Sequence, residues 1–146
     1  MIDIESLVFN TVYSQLITNH PDVNITAGYD EKRESDTTVV IREVGNVPYA
    51  AGNTDDCAEN YTRVTYEIEV ESDKQGTARS VCKQLLKETD AIMQSMKFRR
   101  IHKNRPLSID RTKYRQYARY EAIVGKPYTI NTGTANEKTI FQMYRR

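Results

Sequence analysis

Residues 61–96, YTRVTYEIEVESDKQGTARSVCKQLLKETDAIMQSM, decide the fold of this 146-residue chain because two hydrophobic periods follow each other within them. Between Tyr61 and Glu71 every second residue is apolar, the period of a strand with two different faces. The face that we expect in the core carries Val64, Tyr66, Ile68 and Val70. The face that we expect in water carries Arg63, Thr65, Glu67, Glu69 and Glu71.

The hydrophobic period then changes to three and four residues, which predicts a helix over 75–96. Its apolar stripe consists of Ala78, Val81, Cys82, Leu85, Leu86, Ile92, Met93 and Met96. Ser72 and Gln75 match a capping box, in which two side chains satisfy free N–H groups at a helix start. The sequence therefore predicts a strand followed closely by an amphipathic helix.

The residues before this segment predict a second helix and two short strands. Apolar spacing indicates a helix over 4–18, with Asp3 as its N-cap and Pro21 shortly after its end. Two β-branched runs, 23–27 and 37–44, are expected to pair as a hairpin across a charged turn. Residues 45–59 contain Pro48 and lack an apolar period, so we expect a long loop there.

The remaining residues complete an α+β pattern. Two further strands are predicted at 97–103 and 113–124, and a tail begins at residue 126, with one terminal strand near 140–146 that a partner could order. The order α-β-β-β-α-β-β predicts a mainly antiparallel sheet with both helices on one face. We expect one domain over 1–125 and a C-terminal extension over 126–146.

Chemical motifs are scarce. The two imidazole bases, His20 and His102, have no carboxylate placed nearby in the sequence to orient them. Cys57 and Cys82 lie 25 positions apart, which matches neither a CxxC redox pair nor a zinc site, so we expect free thiols. The glycines match no phosphate-binding loop or dinucleotide motif. We therefore expect no enzyme, no cofactor, no metal and no small-molecule substrate. The acidic N-terminus and the short apolar runs also predict neither a secretory signal nor a membrane span.

Charge is divided unevenly along the chain, although the net charge is only +1. Residues 30–73 hold twelve acidic and four basic residues, whereas residues 97–119 hold nine basic residues and Asp110 alone. This division predicts a strongly dipolar monomer. Three interpretations remain open: two solvated faces, a head-to-tail contact between copies that closes into a ring, or a basic hairpin that binds nucleic acid.

Three segments together resemble the tail-terminator proteins of siphovirus-like phages, also described as tail-completion, head-tail joining or minor capsid proteins. They are the helix Ile4–Ile17 with the following VNITAGY at 23–29, the strand TVVIREVGN at 38–46, and ARYEAIVG at 118–125. The resemblance covers roughly residues 1–125, and the predicted element order agrees with the plan of that family.

The resemblance implies a non-enzymatic virion protein that forms a ring, commonly a hexamer, on the head-proximal end of the tail tube. Because neighbouring neck proteins share similar folds, another neck or head-completion protein is the alternative that it leaves open. It also implies a location at the head-tail interface after assembly in the host cytoplasm. The implied partners are other copies of the chain, the major tail tube protein and the connector or neck protein, with passive contact to DNA in the lumen.

We derive candidate contact residues from the long loop and from the basic segment. The loop residues expected to contact a partner ring are Tyr49, Asn53, Asp55, Asp56 and Glu59. The cations expected to contact a neighbouring subunit or another ring are Arg99, Arg100, Arg105 and Arg111. Loops carried on a rigid sheet are where binding residues commonly lie.

Overall fold

Two helices and seven strands make up the part of the chain that the computed structural model describes, residues 1–28, 35–49, 61–104, 107–108, 113–131 and 137–143. The helices are α1 (Glu5–Asn19) and α2 (Ala78–Ser95). The strands are β1 (Asn24–Thr26), β2 (Thr37–Pro48), β3 (Tyr61–Ser72), β4 (Arg99–Lys103), β5 (Leu107–Ser108), β6 (Tyr114–Asn131) and β7 (Glu137–Met143).

The sheet has the strand order β1-β2-β3-β6-β4, and β5 and β7 also pair with β6. Every pairing is antiparallel except that between β1 and β2. The predicted α+β class and element order are confirmed, and β3 lies in the middle of the sheet as its hydrophobic pattern requires. Both strands next to β3 pair with it along its whole length.

The core lies between the sheet and the two helices, which pack on the same face. In β3 the predicted inward residues are all buried: Val64, Tyr66, Ile68 and Val70. They join the α1 residues Val8, Val12 and Leu16 and the α2 residues Cys82, Leu85 and Leu86 in one cluster. The rings of Tyr66 and Phe98 meet edge to face at 5.6 Å, which adds a favourable quadrupole contact.

The predicted hairpin between the first two strands is wrong. β1 and β2 run parallel, with Asn24 beside Thr38 and Ile25 beside Val39. The Ser35 hydroxyl donates to the Asp22 carbonyl at 2.6 Å, which holds the starts of the two strands side by side. A two-residue hairpin turn cannot connect a parallel pair of strands.

Both predicted helix starts need correction. Helix α1 begins at Glu5, and the Asp3 carboxylate accepts the Glu5 N–H at 3.0 Å instead of occupying the N-cap position. Helix α2 begins at Ala78, three residues later than predicted. Gly76 precedes it with φ +81°, a left-handed conformation that glycine adopts without steric cost and that cannot belong to the helix.

The predicted capping box at Ser72 is also wrong. Ser72 is the last residue of β3, and its hydroxyl forms a 2.9 Å hydrogen bond with the Thr37 hydroxyl of β2. It also accepts the Lys74 N–H at 3.3 Å. The Ser72 side chain therefore bonds to Thr37 on the neighbouring strand and does not cap the helix.

Strand β2 extends into the predicted loop, as far as Pro48, because residues 45–48 pair with the beginning of β3. An irregularity in the register between Glu43 and Gly45 turns Asn46 toward the helices. The Asn46 amide donates to the Ile2 carbonyl at 2.9 Å, and its oxygen accepts the Thr62 hydroxyl at 2.6 Å. The N-terminal residues are thereby tied to the β2–β3 pair.

Strand β6 is longer than predicted and crosses the expected domain boundary at residue 125. Its backbone pairs with β7 from Val124↔Met143 to Asn131↔Glu137, on both sides of that boundary. The C-terminal extension thus continues the same sheet. Neither helix in the described ranges is long and apolar enough to span a bilayer.

The thiol of Cys82 should be unreactive in the folded protein. Cys82 is fully buried, and burial raises its pKa to about 11. In a Cys57→Ser variant at pH 8, we expect DTNB to react with Cys82 about 100-fold more slowly in buffer than in denaturant, since the thiolate is the nucleophile. A native rate close to the denatured rate would contradict this placement.

Candidate functional site

The face of the sheet opposite the helices carries a paired set of charges. Glu67 of β3 lies directly between Arg42 of β2 and Arg119 of β6. Its Oε1 accepts a hydrogen bond from Arg42 Nη2, and its Oε2 accepts one from Arg119 Nε at 2.9 Å. Glu67 is only 5% exposed. Its buried carboxylate therefore has both oxygens satisfied by charge-assisted hydrogen bonds from guanidinium groups.

Two more β3 carboxylates continue this arrangement. Glu69 Oε1 lies 3.3 Å from Arg115 Nε, and Glu71 Oε1 lies 3.4 Å from Lys113 Nζ. We define the charge ladder as Arg42, Glu67, Glu69, Glu71, Lys113, Arg115 and Arg119. The expectation that this face of β3 lies in water is wrong for the three glutamates, which are buried beneath the long side chains of neighbouring strands.

The acidic and basic segments of the sequence are therefore not separated in the folded protein. The acidic β3 and the basic β6 are neighbours, and their opposite charges meet across the strands. Cross-strand pairs of opposite charge stabilise a sheet. The expected strongly dipolar monomer is wrong for these residues, and the ladder pairs three of the seven described cations of segment 97–119 with β3 carboxylates.

Two predicted contact residues, Arg99 and Arg100, lie on β4, at the end of the strand order. Arg99 points to the ladder face, where its Nη2 donates to Glu121 Oε1, and its side chain is 77% exposed. Arg100 points to the helix face, where its Nη1 donates to Asp90 Oδ1 at 3.1 Å. The two arginines thus serve opposite faces of one edge strand.

A third predicted contact residue, Tyr49, lies just beyond β2. Its N–H donates to the Tyr61 carbonyl at 2.9 Å, and the Arg63 guanidinium lies 5.5 Å from its ring centroid. Three strand spacings of about 4.8 Å each separate β2 from β4, so Tyr49 and Arg99 do not form one site. Six predicted contact residues lie outside the described residues: Asn53, Asp55, Asp56, Glu59, Arg105 and Arg111.

Asp90 of α2 is a functional candidate that the sequence did not indicate. It accepts the Tyr120 hydroxyl at 2.8 Å and the Gln94 amide at 2.8 Å, in addition to Arg100. Burial, followed by the Asp90 hydrogen bond, raises the pKa of Tyr120, so its hydroxyl stays protonated and donates. Asp90 thereby ties α2 to both β4 and β6.

His20 has a carboxylate partner that is distant in the sequence. His20 Nε2 hydrogen bonds to Glu88 Oε2 of α2, a residue 68 positions later in the chain. This pair lies near a cleft of about 340 Å³ lined by His20, Pro21, Asp22, Gln84 and others. A sequence separation of this size leaves no local spacing that could have identified Glu88.

The described side chains do not assemble a recognisable reaction centre. Within the described ranges, no group of three or more His, Cys, Asp and Glu residues could hold a metal ion. There too, His20 hydrogen bonds to Glu88 and to no hydroxyl or thiol, the neighbour that nucleophilic catalysis requires.

Comparisons with known proteins add no functional assignment: no protein-family model and no curated protein matches the chain.

The charge ladder should make stability depend on acidic pH. Burial acts to raise the pKa of Glu67, but Arg42 and Arg119 outweigh it, and the net pKa lies below its ordinary range. A carboxylate of this kind stabilises the fold above its unfolded pKa and loses that effect as pH falls through its folded pKa. We expect Glu67→Gln to lower the free energy of unfolding by about 1–2 kcal/mol at pH 7.

Urea unfolding measured from pH 7 to pH 3 checks this prediction. The difference between wild type and Glu67→Gln should shrink as pH falls below about 5. Asp73→Asn, which removes an exposed carboxylate outside the ladder, provides the control. A difference that stays constant over this range would show that the Glu67 charge does not stabilise the sheet.

Proposed function

We propose that the chain is a structural phage protein that forms a ring at the head-proximal end of a siphovirus-like tail tube, where it stops tube growth and offers a surface to the head. The observation that carries this proposal is the fold itself. Apart from the two-residue β5, its helices and strands follow the order α-β-β-β-α-β-β through residue 125, with both helices on one face of the sheet. That order agrees with the plan of the family that the sequence resembles.

The open sheet supplies two different surfaces for ring assembly. In the strand order, β1 and β4 lie at opposite ends. A ring forms when one surface of each subunit binds a different surface of the next and the rotation closes. Two unlike ends of one rigid sheet meet this requirement, and the β4 end is rich in exposed side chains.

Arg99 is well suited to contact a neighbouring subunit, although it already pairs with Glu121. An ion pair with so exposed an arginine contributes only about 0–1 kcal/mol, so little stability is lost if Arg99 exchanges Glu121 for a partner carboxylate. Arg100 lies on the same strand, and we assign Arg105 and Arg111 to the same contact. This exchange would be weakened by salt.

We assign the second group of predicted contact residues, those of the long loop, to the β2–β3 side of the sheet. We assign Tyr49 with Asn53, Asp55, Asp56 and Glu59 to contacts with the tube protein or the connector. Val44 and Val47 are exposed large apolar residues near this end, at 45% and 61%. Exposed apolar side chains next to a proposed binding loop favour burial by a partner. This function requires no catalysis, cofactor or metal.

Light scattering and electron microscopy with purified tail tubes test the proposal. We expect a closed oligomer at high protein concentration, or a cap of this protein at one end of each tube. A chain that stays monomeric at every concentration and also leaves tube ends bare would contradict the proposal.

Arg99→Glu with Arg100→Glu tests the β4 contact. We expect the concentration needed for assembly to rise about tenfold at low salt, and the difference from wild type to shrink as salt is added. Lys74→Glu with Arg79→Glu changes the charge equally away from β4 and should assemble like wild type. Equal assembly of the β4 variant and wild type would remove Arg99 and Arg100 from the contact.

A further inference from the structure

A basic cleft of about 420 Å³ lies between α2 and β4, apart from the charge ladder. Lys83 and Lys87 line it from α2, and Arg100 and Lys103 line it from β4. Asp90 is the one acidic residue among its described lining. The cleft therefore gathers four cations around one carboxylate on the helix side of the sheet.

The carboxylate in the cleft is already neutralised. Asp90 accepts hydrogen bonds from Arg100, Tyr120 and Gln94, as described above, so its charge is balanced by the Arg100 guanidinium. The three lysines, by contrast, are exposed and form no ion pair within the described residues. The cleft thus presents three ammonium groups to whatever enters it.

An acidic peptide added as a new strand is a poor match for this cleft. The pairing of β4 with β6 is irregular between Arg100 and His102, and all five β4 residues are exposed. Such irregularities and a dense row of cations are features that discourage strand addition at an edge.

We propose that the α2–β4 cleft binds the phosphate groups of a nucleic-acid backbone. Lysine ammonium groups act as point charges toward phosphate oxygens and need no fixed geometry. Tyr120 is fully buried and its hydroxyl is used by Asp90, so it cannot stack on a base. The recognition is therefore of charge and independent of base sequence.

This inference relocates the positive surface that the sequence suggested. In the basic segment 97–119, Lys113, Arg115 and Arg119 are held in the ladder and Arg99 pairs with Glu121. The charge available to a polyanion comes from Lys83 and Lys87 of α2, with Lys103 of β4 opposite. The inference stands on the cleft alone and does not depend on ring assembly.

Fluorescence anisotropy with a labelled 20-base-pair duplex of arbitrary sequence tests the proposal. We expect a Kd on the order of 10–100 μM at 50 mM salt, and a decrease in log affinity with log salt of slope about −3, for three neutralised phosphates. Lys83→Gln with Lys87→Gln should weaken binding at least about tenfold at low salt and reduce the slope by about 2.

Matched controls separate the cleft from general charge effects. Arg63→Gln with Lys74→Gln removes two positive charges outside the cleft and should change the affinity by less than about threefold. Thermal unfolding of each variant verifies that it folds. Equal losses in the two double variants, or no loss in either, would overturn the cleft as the site.

Two other anions test the source of the phosphate. Calorimetric titration with sodium phosphate should give no binding below about 1 mM, since a free phosphate lacks the several linked phosphates through which a backbone binds multivalently. Binding of inorganic phosphate without the duplex would overturn the nucleic-acid proposal. Binding of a glutamate homopolymer peptide without the duplex would overturn it in favour of an acidic protein partner.

Discussion

The burial of three carboxylates on β3 is the constraint on which the rest of the sheet depends. A buried charge is costly unless it is paired and hydrogen bonded. Glu67, Glu69 and Glu71 therefore require cations on the strands beside them. Arg42 on β2 meets one side of Glu67, and Arg119 on β6 meets the other. A shift of either strand by one residue would move these cations to the helix face and leave the carboxylates unpaired.

The two faces of β3 explain how one strand serves both the core and the ladder. Tyr66 and Ile68 point to the helices, while Glu67 between them points to the arginines. Since the ladder satisfies charge within the chain, partners are left with the remaining surfaces. These are the exposed Arg99 side of β4, the β2–β3 end near Tyr49, and the cleft beside Lys83. The contact surfaces and the phosphate-binding cleft proposed above use these positions.

Periodicity in the sequence predicted the parts of the fold that depend on burial. The inward residues of β3 and the apolar stripe of α2 were confirmed because hydrophobic burial acts on each element separately. Pairings over long distances were not predictable: Glu67 and Arg119 are 52 residues apart, and Ser72 and Thr37 are 35 apart. The same holds for the parallel pairing of β1. In the candidate site, the sequence singled out Arg99, Arg100 and Tyr49 as contact residues. It contained no local pattern that could identify Asp90 or Glu88, because their partners are distant in the sequence.

A double-mutant cycle on Glu67 and Arg119 tests the role of the ladder most directly. Wild type, Glu67→Gln, Arg119→Gln and the double variant would be unfolded in urea at pH 7. The account predicts a favourable coupling energy of about 0.5–1.5 kcal/mol between the two side chains, reduced because Arg119 is half exposed. A coupling energy within about 0.3 kcal/mol of zero would contradict it, since the two charges would then not stabilise the sheet through each other.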